Sequence, residues 1–245
     1  DPGMTQRPLT SSPFNLHEPA AYEAWREWKL AGYPLDVNDL LVSVEDPRHL
    51  AERECRQIFA NCCKTNMCLY QLPAGVKGDK DMVRRLGREF GLERLDRNLR
   101  ADEDSITSLK VVSGAGGAYY IPYTNRPLNW HTDGYYNAGD QQVRAWLLYC
   151  AQPAAEGGTN DLFDHEIAYI RLRDQNPDWI RALMADDAFT IPSNTEGGAE
   201  IRPDHAGPVF SVSTVDGSLH MRYSARQRNV IWKDDPGTRD AAAFL

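Results

Sequence analysis

No apolar run in this chain approaches the roughly 18–20 residues that span a bilayer, so no membrane segment is expected. The start, Asp1-Pro2-Gly3-Met4, lacks the basic-then-apolar pattern of a secretory signal, and Met4 behind three residues reads as an expression scar. Positive charge is in short supply: 27 basic side chains face 35 acidic ones, a net charge of −8. That excludes a nucleic-acid sleeve and favours small-molecule chemistry. Cysteine is sparse and badly placed for structural work. Cys55, Cys62, Cys63 and Cys68 fall within fourteen residues and Cys150 stands alone, with no C-x-x-C pair. An odd count in that spacing suits neither a disulfide framework nor a zinc site. The expectation is buried or spare thiols in a reducing cytoplasm. No internal repeat, low-complexity tract or dividing linker interrupts the chain.

What is present is enough for a packed domain. The 245 residues are 42% hydrophobic and 10% aromatic. Residues 1–15, rich in Pro, Ser and Thr, read as a mobile lead-in, and 16–245 as one domain. Helical periodicity runs from Glu18 to Leu30 with Tyr22, Trp25, Trp28 and Lys29 on one stripe. Asp46-Pro47 is expected to start a second helix through Leu50, Cys55, Ile58 and Phe59. Asp81 to Phe90 reads as a third, stopped by Gly91. Glu166 to Met184 is helical with a break near Pro177, and Asp235-Pro236 opens a last helix. Strands are expected at 67–72, 108–113 and 143–150, and at 208–212 and 219–223 as a hairpin across Asp216-Gly217.

The sharpest chemical feature is Asn129-Trp130-His131-Thr132-Asp133. In an extended segment, side chains two apart share a face, so His131 and Asp133 converge. An imidazole and a carboxylate there suit a divalent metal with positions left open. By itself H-x-D is equally a surface histidine bonded to an aspartate.

The surroundings carry more. Tyr123-Thr124 precedes Asn129 to Asp133, and Gly134-Tyr135-Tyr136 follows. Trp146 to Cys150 leads to Glu156-Gly157-Gly158-Thr159-Asn160, and Gly207 to Phe210 leads to Leu219-His220-Met221-Arg222. Over about residues 38–245 this succession resembles the taurine dioxygenase (TauD/TfdA) family, nearest its γ-butyrobetaine hydroxylase branch. The resemblance implies a mainly β fold with helices: a cupin-like double-stranded β-helix, or jelly roll. It implies Fe(II) as metal, and 2-oxoglutarate and O2 as cosubstrates. A small organic substrate, betaine-like or another small organic acid, would be hydroxylated or oxidatively cleaved, with succinate and CO2 as co-products.

Residue by residue, the resemblance makes His131 and Asp133 the metal ligands and catalytic pair. Related halogenases lack that carboxylate, so Asp133 points to hydroxylation. Asn160, with Thr159 as its neighbour, falls at the cosubstrate position, where the family commonly has threonine. Tyr123, Asn129, Trp130, Tyr135 and His220 fall at the substrate wall, with Tyr119 and Tyr120 near. The branch's zinc-binding N-terminal domain has no counterpart here. The family's third ligand, a late histidine followed by an arginine for 2-oxoglutarate, is expected beyond residue 245, with the last strands; His220 is the fallback. The family leaves a homo-oligomer open. Two other readings remain: a catalytically silent cupin-like binding or scaffold protein, and a hydrolase using His131, Asp133 and water.

Overall fold

The computed structural model describes residues 11–95, 106–111, 121–196, 199–226 and 230–245. Helix α1 (Pro19–Leu30) opens on Pro19, whose fixed φ suits a first helical turn, and buries Tyr22, Trp25 and Lys29. The segment before it is not a lead-in over 11–15. Phe14 is only 3% exposed and sits edge-on to Trp25 and Tyr169, at 5.0 and 5.3 Å between ring centroids. Arg173 locks it further, donating Nη1 to the Pro13 carbonyl at 2.8 Å while its guanidinium lies 3.9 Å above the Tyr22 ring. Buried aromatic area of this kind outweighs the turn-prone composition that surrounds it.

Strand β1 (Leu41–Ser43), helix α2 (Glu52–Thr65) and strand β2 (Leu69–Gln71) form a small parallel unit around Val42, Val44 and Ile58. Helix α2 does not begin at Asp46-Pro47 as expected. Asp46 closes a turn by accepting from the Arg48 amide. The helix starts five residues after Pro47, where the Glu54 carboxylate accepts from the amides of Ala51 (2.8 Å) and Glu45 (2.9 Å). Two orphan donors satisfied by one carboxylate decide the boundary. Phe59, expected on the packed face, is exposed. Helix α3 (Lys80–Glu89) is capped by Asp79, which accepts from the Met82 amide, and ends before Gly91 at φ +75°.

The C-terminal half holds the main core. Helices α4 (His165–Gln175) and α5 (Pro177–Leu183) break at Asn176, as Pro177 requires. Strands β3 (Phe189–Ile191), β4 (Asn194–Glu196), β5 (Ala199–Arg202), β6 (His205–Gly207), β7 (Phe210–Val212), β8 (Leu219–Met221) and β9 (Ile231–Trp232) follow, then α6 (Pro236–Phe244). Strand β3 lies between β6 and β9, antiparallel to both; β4 pairs with β5 and β7 with β8. The β7–β8 register sets Ser211 opposite His220. Tyr169, Leu172, Ile180, Leu183, Phe189, Val209 and Phe210 are fully buried between helices and strands.

Among the described residues these strands make small separate sheets and no closed barrel. Two expected strands differ. Residues 106–111 are irregular, and 112–120, including Tyr119 and Tyr120, lie outside the described residues. Residues 143–150 are extended in composition but pair with no described strand. That segment is fastened by a side chain instead: the Tyr149 hydroxyl accepts from the Gly78 amide at 2.8 Å.

A buried ionic cluster ties the two halves together. Lys29 of α1 is 0% exposed, and its ammonium lies 2.7 Å from Asp164 and 2.6 Å from Glu166. Asp164 also accepts from Asn66 Nδ2, the Tyr33 hydroxyl and the Glu166 amide, capping α4. Tyr33 is pushed above the ordinary tyrosine range, first by burial and then by the Asp164 charge.

Candidate metal and substrate site

The residues 130–132 meet the chain just after β8. The Ala225 amide donates to the Trp130 carbonyl (2.8 Å) and the Thr132 amide to the Tyr223 carbonyl (2.9 Å), so His131 stands opposite Ser224 in an antiparallel bridge. The Thr132 hydroxyl accepts from the Tyr223 amide at 3.0 Å. This is one bridge rather than the longer strand the sequence suggests, yet it fixes the backbone on which His131 and Asp133 sit.

The two side chains converge. His131 Nε2 is 3.5 Å from Asp133 Oδ1, and His131 Nδ1 is 2.8 Å from the Asn129 carbonyl oxygen. A carbonyl only accepts, so Nδ1 carries a proton toward Asn129; Nε2 donates to Asp133 when the ring is protonated and offers its lone pair to a metal when the ring is neutral. Carbonyl–imidazole–metal is the usual arrangement around ligating histidines. Two donors each about 2.1 Å from one ion stand about 3–3.5 Å apart, so the pair fits one edge of a metal's coordination shell. A neutral nitrogen and a carboxylate oxygen match a first-row divalent ion.

The Asp133 contact, opposed by partial burial and aided by the Asn129 carbonyl, raises His131 above its ordinary 6.5. The imidazolium–carboxylate pair therefore adds stability below about pH 6.5, and loses it as pH climbs through the raised value. A metal must displace that proton, so metal affinity climbs over the same interval.

Gly134 completes the corner. Its φ is +65°, and a Cβ there would meet Val143 Cγ2 at 2.5 Å and Asn137 Nδ2 at 3.0 Å. Gly134→Ala is expected to cost about 1–3 kcal/mol and to displace Asp133. Urea unfolding and an Fe(II) titration check this; unchanged values in both would remove Gly134 from the site.

Around the pair, the Tyr135 ring lies 6.4 Å from the His131 ring and packs on the main core. Trp130, 53% exposed, meets Phe163 edge-on at 6.3 Å. The other predicted residues stand apart in contacts. Tyr123 is half-buried on a 3₁₀ turn (Ile121–Tyr123) whose end is held by the Thr124 hydroxyl donating to the Ile121 carbonyl. Gly157 and Gly158 both take positive φ, and the exposed Thr159 and Asn160 follow; Asn160 Nδ2 donates to the Gly158 carbonyl at 3.4 Å. His220 is half-buried on β8, and burial, then Arg144, His165 and Arg222, push it down to about 4. Among the described residues no group of three His, Cys, Asp or Glu side chains gathers in a metal-holding arrangement. The five cysteines are free thiols, and burial raises Cys68 away from thiolate chemistry.

Two residues near the site were not singled out from sequence. Ser224, 1% exposed, anchors His131 through a bridge across 93 residues, a pairing with no local signal. Arg144 reaches Ser218 with Nη1 at 3.3 Å, again long-range.

Comparison with known proteins decides what the corner belongs to. The family model "Taurine catabolism dioxygenase TauD, TfdA family" matches residues 71–244, from β2 to within α6. The chain belongs to the TauD/TfdA family. Within that family, a uridine-5'-phosphate dioxygenase of Amycolatopsis sp is 34% identical over 95 residues, covering 39% of this chain and 33% of the relative. A uridine-5'-phosphate dioxygenase of Streptomyces sp is 29% identical over 136 residues, 55% of this chain and 48% of the relative. The chain thus spans between a third and a half of the length of these TauD/TfdA relatives. No solved structure matches significantly. Among the described residues no helix is long and apolar enough to cross a membrane.

Proposed function

We propose that this TauD/TfdA chain is an Fe(II)- and 2-oxoglutarate-dependent oxygenase of a small anionic molecule. The single observation that supports it most is the His131–Asp133 pair at 3.5 Å, with Nδ1 turned to the Asn129 carbonyl, inside the family-matched region. When bound, Fe(II) with 2-oxoglutarate supplies O2 activation for substrate oxidation, releasing succinate and CO2. His131 Nε2 offers a neutral donor and Asp133 an anionic one. The Asn129 carbonyl holds the imidazole in the tautomer that leaves Nε2 bare. Thr132 fastens the segment to Tyr223 by its amide and hydroxyl, so both ligands keep their aim. Tyr135, packed against the core beside His131, restricts water on that flank. The Asn160 amide and the Thr159 hydroxyl have donors for a carboxylate of 2-oxoglutarate. The family's β-helix is proposed as the scaffold that brings these parts together.

For substrate, the relatives' names point to uridine-5'-phosphate, which places nucleoside monophosphates ahead of betaines in a screen. Succinate release is to be measured over nucleoside monophosphates, betaines, sulfonates and amino acids. Stimulation by one class supports the oxygenase; iron-independent turnover, as in a hydrolase, overturns it. Tyr123→Ala is expected to raise the substrate KM far more than the 2-oxoglutarate KM. Parallel movement of both constants would make Tyr123 a packing residue only.

A further inference from the structure

Arg222, the residue after β8, is 5% exposed, and its partners are backbone carbonyls. Nε donates to Pro208 (3.3 Å), Nη1 to His205 (3.3 Å) and Nη2 to Phe189. The guanidinium also lies 5.0 Å from the centre of the Phe189 ring. Gly207 lets it come close, since a Cβ there would stand 3.1 Å from Nη2. We infer that Arg222 is a positioning residue for the metal pair, clamping the strand that carries the His131 bridge onto the core. This rests on the oxygenase reading above.

Burial alone draws the Arg222 guanidinium down to about 10, with no neighbouring charge contributing. A buried cation without a carboxylate is costly, and the three carbonyls offset that cost only in one arrangement. What they join explains its place. Phe189 is on β3 and His205 on β6, in the sheet β6–β3–β9, whereas Arg222 extends the separate β7–β8 hairpin and donates its amide to Val209 at 2.7 Å. Among the described residues no strand ladder joins these two sheets. The side chain of Arg222 supplies hydrogen bonds between them. Each carbonyl meets a different nitrogen of the fork, a geometry that the single nitrogen of a lysine cannot copy.

The clamped strand runs straight into the site. Ser224 lies two residues on, about 7 Å of extended chain, and stands opposite His131. Tyr223 exchanges bonds with Thr132 in both directions, and the Ala225 amide reaches the Trp130 carbonyl. One bridge between two short segments is too small to hold its own place, so it takes its position from what fastens its ends. Arg222 fastens the 223–225 side. A metal pair needs its ligands held to about 0.5 Å, so loosening that side should be felt at His131 and Asp133.

The test uses the full chain, first metal-free and then titrated anaerobically with Fe(II) alone. Arg222→Lys keeps the charge and loses the fork. In the metal-free variant, amide hydrogen exchange at Thr132 and Ala225 is expected to quicken at least about tenfold beyond any change in the α4 amides. The Fe(II) Kd is expected to rise about tenfold or more. Ile180→Ala, a core truncation on α5 outside the clamp, should lower the urea midpoint and leave Fe(II) affinity as in wild type. If circular dichroism shows Arg222→Lys unfolded, Gly207→Ala, whose Cβ crowds the guanidinium, carries both readouts with the same expected direction. Exchange that quickens equally at Thr132, Ala225 and α4 overturns the inference and makes Arg222 a general stabiliser. Unchanged Fe(II) affinity in the folded clamp variant overturns it too, as does an equal loss in Ile180→Ala. Selective quickening in a protein whose wild type binds no Fe(II) would sink the oxygenase reading and leave Arg222 as the clamp of the bridge.

Discussion

Lys29→Met is expected to destabilise the protein by about 3–5 kcal/mol, the largest loss of stability from any single change described here. The methionine keeps most of the volume, so the loss is electrostatic. Asp164 and Glu166, at 2.7 and 2.6 Å from the ammonium, would be left charged beside a buried, uncompensated space. Asp164 would keep its bonds from Asn66, Tyr33 and the Glu166 amide, which places the loss toward the lower end of that range. Urea unfolding should show a lower midpoint with an unchanged slope. The triple variant Lys29→Met, Asp164→Asn, Glu166→Gln should recover much of it, because neutral partners need no counter-ion. A midpoint unmoved by Lys29→Met would mean that water already screens the cluster.

The second large effect is chemical. His131→Ala and Asp133→Ala are each expected to remove Fe(II)-dependent turnover of 2-oxoglutarate, a loss of at least about a thousandfold, while folding is retained. Both side chains are partly exposed, at 31% and 51%, so truncating them opens little core. The reaction depends on holding the ion with open positions, and neither a lone imidazole nor a lone carboxylate does that. In wild type, Fe(II) affinity should rise with pH through the raised His131 value, since the proton shared with Asp133 must leave. In Asp133→Ala the pH dependence should move down toward an ordinary histidine. Turnover retained in both variants would place the metal elsewhere.

Much of the local structure was legible because its causes are local. Pro177 at a first helical position, Asp235 as a cap and Gly91 at positive φ are all set by residues within one turn. The β7–β8 hairpin across Asp216-Gly217 was legible for the same reason; Gly217 takes φ +68° and Asp216 folds back on Ser218. The stripe Tyr22, Trp25, Lys29 showed that Lys29 faces inward, but its partners lie 135 and 137 residues away and leave no local trace. Residues 143–150 show the limit most clearly. Their β-prone composition expresses fitness for a pleated surface, whereas a strand needs a partner, and here Tyr149 docks on Gly78 instead. Phe14 was hidden by the Pro and Ser around it, although a single buried ring was enough to order the segment.

The candidate site divides the same way. His131, Asp133 and the Asn129 carbonyl meet because they are two residues apart, and the motif made them visible. Arg144 reaches Ser218, and His165 the Leu219 carbonyl, only through tertiary packing, which leaves no local signal.

The most direct measurement is visible absorption of the protein under anaerobic conditions, with Fe(II) and 2-oxoglutarate added separately and together. A weak charge-transfer band is expected only when both are present, and it should be lost in Asp133→Ala. Absence of any band in wild type would contradict the iron site and leave a cupin-like binding protein, and a band that forms without 2-oxoglutarate or survives Asp133→Ala would contradict the assignment of these residues.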